Sequence, residues 1–190
     1  MEKLLRTIEK FIPRKLYKFF QPAYHFLLAI TGVIIYRNPS KQITVIGVTG
    51  TKGKSSTVEF INAILEANGN KTAILSTIRF KIGEKSRPNL YKMTIPGRFF
   101  TQKFLRDAVD AGCEYAIIEM TSEGARFYRQ AGIHMDALIF TNLSPEHIES
   151  HGSFKKYKEA KLRLVRQLSR SKKPVRISIA NIDNEHAQHF

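Results

Sequence analysis

Gly47-Val48-Thr49-Gly50-Thr51-Lys52-Gly53-Lys54-Ser55-Ser56-Thr57 is the stretch from which the rest of the chain can be read. It follows the β-branched run Ile43-Thr44-Val45-Ile46 and leads into Val58, Ile61, Ile64 and Leu65, which recur at helical spacing. A strand, a Gly-rich turn ending in Gly-Lys-Ser, and a helix together make a phosphate cradle. The glycines let backbone N–H groups close around phosphate oxygens, and the helix N-terminus adds partial positive charge. Gly50, Thr51, Lys52, Gly53, Lys54, Ser55 and Ser56 are therefore candidate nucleotide contacts. Lys54 can reach the terminal phosphates of ATP, and the Ser55 hydroxyl can ligate Mg²⁺. The usual P-loop spacing puts a glycine where this chain has Val48, with Gly47 and Gly50 on either side, so the loop is a variant. The plainer alternative is a Gly-rich turn with a purely structural role.

At 190 residues the chain is long enough for one well-buried domain, or one domain with a short appendage. Its 43% hydrophobic and 25% charged content is ordinary for a globular protein. Its balance of 31 Lys+Arg against 16 Asp+Glu, a net +15, is not. Such an excess suits an anionic partner. Residues 1–41 hold eight Lys/Arg against two acids, and residues 153–176 hold ten against one. Solvated helix faces would account for both segments equally well. A nucleic-acid partner is not expected, because helix-turn-helix, zinc and aromatic single-strand signatures are all missing. Cys113 is the single cysteine, which rules out an internal disulfide and points to a reducing, cytoplasmic setting.

Residues 1–41 read as a basic, apolar helical leader to a domain at 42–190. The apolar run from Phe26 to Tyr36 is short of the roughly 20 residues that span a bilayer. No small-residue cleavage site follows it, which argues against a secretory signal. Leu4, Leu5, Ile8, Phe11 and Ile12 fall at helical spacing among Lys and Arg. They describe a helix packed on the domain, the preferred reading, or an interfacial membrane helix. Peripheral membrane contact through residues 1–36 therefore stays open.

From residue 43 onward apolar strands alternate with amphipathic helices. The pattern predicts strands at 43–48, 72–76, 115–119, 137–141 and 175–180, and helices at 55–68, 98–111, 122–131 and 154–169. Runs such as Ala116-Ile117-Ile118 and Ala137-Leu138-Ile139-Phe140 imply burial on both faces. This predicts an α/β fold, a mostly parallel sheet flanked by helices. Residues 78–95 read as an exposed hairpin or loop. In open parallel sheets, ligands bind beyond the carboxyl ends of the strands. Glu119, Thr141-Asn142 and Asn181-Ile182-Asp183 join the Gly-rich loop at that edge, so Asn142 is a further candidate for the nucleotide.

The chain resembles the Mur ligase family of ATP-dependent amide-forming enzymes, most of all its UDP-N-acetylmuramoyl-tripeptide synthetase branch. The matching pieces are G-T-K-G-K-S-S at 50–56, M-T-I-P at 93–96 and E-M-T-S-E-G at 119–124. F-T-N-L-S-P-E-H-I-E-S-H-G at 140–152 and Y-K-E-A-K-L-R-L at 157–164 complete the set. The resemblance implies the family's P-loop central domain and an activity that phosphorylates a substrate carboxylate with ATP. The amine of an incoming amino acid would then attack the acyl phosphate. A UDP-muramoyl-peptide, or a related anionic compound, would be the substrate. The resemblance further implies that Ser55 and Glu119 hold magnesium, that His147 is a second metal ligand, and that Lys161 matches a lysine often carbamylated in the family. Lys54, Lys161 and His147 would be the catalytic set. Thr94, Thr121 and Arg129 align with positions that contact the muramoyl-peptide.

Plainer readings stand beside these. Glu119 could be a helix-capping acid, His147 a loop histidine capping the next helix, and Lys161 one lysine of a solvated face. Glu146 and His151 suit loop structure, and Cys113 a small apolar filler. Two positions depart from the family pattern: Glu123 replaces a usual histidine, and Ile95 replaces a usual threonine. Both touch substrate contacts and leave the specific substrate open, and the basic leader in place of a UDP-holding domain supports a lipid-linked precursor or a poly-γ-glutamyl chain as the other acceptor. The leader stands where the family's UDP-holding domain is expected, and the chain stops where the central domain should continue. The expectation is a truncated frame without the amino-acid-binding domain, unable to complete ligation alone. A non-catalytic ATP-binding module is the competing expectation from another class.

Overall fold

The structure, a computed structural model, describes residues 24, 27–91, 93–146 and 148–190. The helical pattern assigned to Leu4, Leu5, Ile8, Phe11 and Ile12 lies outside the described residues, as does His147. A first helix, α1, covers 27–35 and is followed by a 3-10 turn, Pro39–Lys41. The β-branched run then forms β1 (Thr44–Thr49), and the Gly-rich loop opens α2 (Lys54–Ala67). The elements that follow are β2 (Thr72–Leu75), β3 (Arg79–Ile82), β4 (Lys85–Pro88), α3 (Arg98–Asp110) and β5 (Tyr115–Glu119). Next come α4 (Ser122–Arg126), β6 (Ala137–Phe140), α5 (Ile148–His151), α6 (Phe154–Ser169) and β7 (Ile177–Ala180).

The seven strands form one sheet in the order β4-β3-β2-β5-β1-β6-β7. From β2 to β7 all neighbours are parallel, and β3 and β4 add an antiparallel edge. The register sets Val48 opposite Glu119, Thr49 opposite Phe140, and Phe140 opposite Ala180. The carboxyl ends of β1, β5, β6 and β7 therefore share one edge. β1 lies between β5 and β6, where successive crossovers leave in opposite directions, so a crevice opens beyond its end.

Side chains alternate between two cores. Val45, Leu75, Ala116, Ile118 and Leu138 meet α3 and α6 on one face. Val48, Ile74 and Ile117 meet Val58, Ile61 and Leu65 of α2 on the other. Burying such a side chain contributes about 1.5–3 kcal/mol, which makes the central strands the most strongly held part of the molecule. α6 is capped by the Ser153 hydroxyl, which accepts from the Lys156 N–H at 3.2 Å. Its Tyr157, Ala160, Lys161, Leu164 and Leu168 are all buried.

Two regions differ from the sequence pattern. The helix expected over 122–131 ends at Arg126, because the chain turns through Tyr128 in a left-handed conformation (φ 55°). The turn carries Arg129 back toward Ile95. The 78–95 segment is a hairpin as expected, but it is not simply exposed. β3 pairs with β2, and Phe80 and Lys81 are buried. Phe80 packs on Phe100 and Phe104 of α3, while the Lys81 ammonium is paired with Glu66. Alternation alone does not distinguish a solvated hairpin from one whose inner face covers a sheet edge.

Candidate functional site

Two glycines give the loop its path. Gly50 has φ 154°, and a Cβ there would lie 1.9 Å from the Thr141 hydroxyl, so the loop passes too close to β6 for any side chain. Gly53 occupies the N-cap of α2 in the left-handed region (φ 79°), with open space around it. The first N–H groups of α2 have no intrahelical acceptor and face the mouth of the loop. Asn142 fixes the loop from β6. Its Oδ1 accepts from the Thr51 N–H at 3.2 Å and the Lys52 N–H at 2.9 Å, and its amide donates to Lys52 O at 3.1 Å. The nucleotide role expected of Asn142 thus has a structural counterpart, as it already holds the loop together.

Lys54 folds over its own turn, donating to Thr51 O at 2.8 Å. Burial lowers its pKa, against the pull of the nearby Glu119 and Glu146 carboxylates. The Ser55 hydroxyl donates to Glu119 Oε2 at 2.8 Å, and the Thr77 N–H donates to the same oxygen at 2.9 Å. Glu119 is 2% exposed. Its recorded partners come from the loop helix and from the end of β2, which disfavours a helix-capping role. Ser56 stands exposed one residue on, and Lys52 is exposed and paired with Glu146 at 3.2 Å.

Lys161 is 2% exposed, so the solvated-face reading does not hold for it. Its ammonium donates to Gly50 O at 2.6 Å and lies 5.0 Å from the centre of the Tyr157 ring. Burial, with Lys54 close by, pushes its pKa down from 10.5 to about 7, against the opposing pull of Glu119 and Glu146. Tyr157, one turn earlier on α6, meets the Thr51 hydroxyl at 3.0 Å, and Thr51 Oγ1 in turn accepts from the Ser144 N–H at 3.0 Å. One helix therefore grips the loop at Gly50 and at Thr51.

The three positions aligned with substrate contacts adjoin this centre. The hydroxyls of Thr94 and Thr77 are 2.7 Å apart, which links Thr94 to Glu119 through Thr77. Arg129 donates to Ile95 O at 3.4 Å and lies over the Phe127 ring. Its pKa is lowered by burial, with Glu123 nearby acting against that. Thr121 caps α4, its hydroxyl accepting from the Gly124 N–H at 3.0 Å. Of the residues read as loop structure, His151 is buried against the Ser122 hydroxyl at 3.1 Å. Cys113 is buried as a filler, with Sγ 3.3 Å from Thr72 O. No group of three or more His, Cys, Asp or Glu poised to hold a metal occurs among the described residues. The sequence reading missed Thr77 and the loop-gripping hydroxyl of Tyr157. The rule that picked the ends of β1, β5 and β6 would have named Thr77 had it been applied to β2.

The comparisons with known proteins agree with this geometry. The Mur ligase middle domain matches residues 48–190. A UDP-N-acetylmuramyl-tripeptide synthetase of Roseiflexus sp. (strain RS-1) is 36% identical over 177 residues, covering 89% of this chain and 35% of the relative. The chain thus spans about a third of the length of that relative. A solved UDP-N-acetylmuramoyl-L-alanyl-D-glutamate--2,6-diaminopimelate ligase superposes with a TM-score of 0.65 at 28% identity, over 77% of this chain and 28% of its own. A Mycobacterium tuberculosis folylpolyglutamate synthase shares the fold with a TM-score of 0.65 at 12% identity, over 84% of this chain and 41% of its own. A Gly-rich loop gripped by α6, at the switch point of a mostly parallel sheet, is joined by a sequence match over most of the chain, and the chain belongs to the Mur ligase family through its middle domain.

Proposed function

We propose that this chain provides the ATP-binding part of a ligase that joins a muramoyl-peptide carboxylate to an amino acid. That reaction would serve peptidoglycan precursor synthesis in the cytoplasm, and through it cell-wall building, cell shape and division. The observation that carries the reading is the convergence of Lys54, Ser55, Glu119 and Lys161 on one Gly-rich loop. In this reading Gly50, Thr51, Lys52, Gly53, Lys54, Ser55, Ser56 and Asn142 hold ATP, with loop N–H groups and Lys54 on its phosphates. Thr94, Thr121 and Arg129 orient the anionic substrate, so that its carboxylate receives the terminal phosphoryl group before the amine attacks. Transfer between anions depends on positioning and on charge neutralisation, which a loop held in place by Asn142, Tyr157 and Lys161 supplies.

The residues present fit a magnesium ion. Ser55 Oγ and Glu119 Oε2, hydrogen-bonded to each other at 2.8 Å, are hard oxygen donors side by side at the loop. When bound there, Mg²⁺ neutralises charge on the phosphates. His147 and Lys161 complete the proposed metal set, Lys161 only as a carbamate, since an ammonium repels a cation. A neutral amine is the form that adds CO₂, and burial favours it. The carbamate keeps one N–H, so the bond to Gly50 O survives the modification.

The test uses a ligase-length protein carrying this domain, supplied with ATP, UDP-muramoyl-dipeptide and amino acids. Lys161→Ala is expected to reduce amide formation sharply, with Lys158→Ala, on the same helix, close to wild type. Recovery of the Lys161→Ala protein with short-chain carboxylates identifies the carbamate. Full activity without any additive contradicts the reading. One observation favours a second acceptor: Glu123, in place of the family's histidine, sets a carboxylate near Arg129. A lipid-linked or poly-γ-glutamyl acceptor would appear as turnover with those compounds and none with the UDP-linked one.

A further inference from the structure

α1 is amphipathic the wrong way round for a helix serving only to pack. One side is well seated. Ala29 is fully buried, Gly32 sits against Gln102 and Phe99 of α3, and Val33 fills the space beside Gly132. Arg106 of α3 ties down the end of the helix by donating to Tyr36 O at 3.1 Å and Arg37 O at 3.2 Å. The other side carries Leu27, Ile34 and Ile35, which are 64%, 71% and 52% exposed. With Thr31 they fall at i, i+4, i+7 and i+8, a single stripe. The Thr31 hydroxyl donates back to Leu27 O at 2.9 Å, leaving its methyl group as the outward part.

Along the sequence, the charge flanking this stripe has one sign. No Asp or Glu occurs between Glu9 and Glu59, while Arg14, Lys15 and Lys18 precede the stripe in sequence and Arg37 and Lys41 follow it. The turn that ends at Lys41 is held to the 132–134 segment by Ser40, whose hydroxyl accepts from the His134 N–H at 3.0 Å. The exposed Lys172 comes close to His134 as well, while Lys173 is turned inward and paired with Asp136. The basic field therefore continues past the end of α1. Tyr24, Phe26 and Tyr36 bracket the stripe with aromatic rings of the kind that settle at membrane interfaces.

We propose that the outward stripe of α1 docks on an anionic lipid surface, lying in the plane of the bilayer with Leu27, Ile34 and Ile35 in the headgroup–acyl boundary. The described part of α1, residues 27–35, spans roughly 14 Å at about 1.5 Å per residue, against about 30 Å of hydrocarbon. Among the described residues no helix is long and apolar enough to cross. A second copy of the chain suits the stripe poorly, since two molecules of net +15 repel one another. Nucleic acid would satisfy the lysines and leave the stripe in water. The docking surface stands apart from the ligase reading and does not depend on it.

The experiment is sedimentation of the 190-residue chain with phosphatidylcholine vesicles, with and without phosphatidylglycerol. Co-sedimentation with the anionic vesicles is expected, falling about tenfold for the triple variant Leu27→Ser, Ile34→Ser, Ile35→Ser. The chain contains no tryptophan, so Ile34→Trp installs a single reporter on the stripe. Its emission is expected to shift to the blue with anionic vesicles and to stay put with phosphatidylcholine alone. Equal vesicle binding by the triple variant and the wild type would overturn the proposal, leaving the basic leader as the anchor. An unshifted Ile34→Trp emission, or a wild-type dimer that the triple variant breaks, would overturn it as well.

Discussion

α6 and α1 are both apolar helices in basic surroundings, and they spend their apolar residues differently. α6 turns Tyr157, Leu164 and Leu168 inward and takes one lysine with them. The remaining cations of that helix stay toward solvent, so the buried Lys161 serves the loop. Within residues 27–35, α1 fully buries Ala29, half-buries Leu28, Ile30 and Val33, and leaves Leu27, Ile34 and Ile35 outside. The difference teaches that periodicity gives the existence of a stripe, while neighbours decide whether protein or something else covers it. α6 meets the β6 side of the sheet and α4. α1 meets α3 and the turn at Gly132.

The sharpest way to break this comparison is to truncate a matched pair of side chains. Leu164→Ala, at a site 1% exposed, is expected to lower unfolding free energy by about 2–5 kcal/mol. Ile34→Ala, at a site 71% exposed, is expected to stay within about 0.5 kcal/mol of wild type. Denaturant unfolding measures both, and equal losses would show that α1 is covered in solution. A smaller effect sharpens the contrast through pH. Lys161 titrates near 7 when folded and keeps its proton to about pH 10.4 when unfolded. Between those values the unfolded chain binds more protons, so this group adds stability as pH rises, and its penalty is complete below about pH 7. Lys161→Met should remove that slope, so the melting-temperature gap is expected to move in favour of the wild type between about pH 6 and about pH 9. Parallel profiles would place the Lys161 amine in water.

Most of the framework was legible because it rests on local signals. The β-branched run before Gly47, the apolar strands and the amphipathic helix patterns located β1, β2, β5, β6, α2, α3 and α6 to within about two residues. The misread parts depend on contacts between distant residues. The inner face of β3 owes its burial to Phe100 and Phe104, some twenty residues on, and α4 ends early because Tyr128 turns left-handed. In the site, Lys54, Ser55 and Glu119 followed from the loop and the strand-edge rule. Lys161 could be placed by its stripe on α6, but its bond to Gly50 O could not, since 111 positions separate the two. Thr77 carries no motif, and its bonds to Glu119 and Thr94 join residues far apart in the sequence.

Nucleotide binding by the loop is the central claim, and titration calorimetry of this chain with Mg-ATP tests it directly. Lys54 is the cation folded into the cradle, and charge-assisted contacts to phosphate are among the stronger hydrogen bonds. The prediction is measurable Mg-ATP binding by the wild type and an affinity at least about tenfold weaker for Lys54→Ala, or about 1.4 kcal/mol. Equal affinities in two proteins shown to be folded would contradict the phosphate cradle and return the loop to a structural turn.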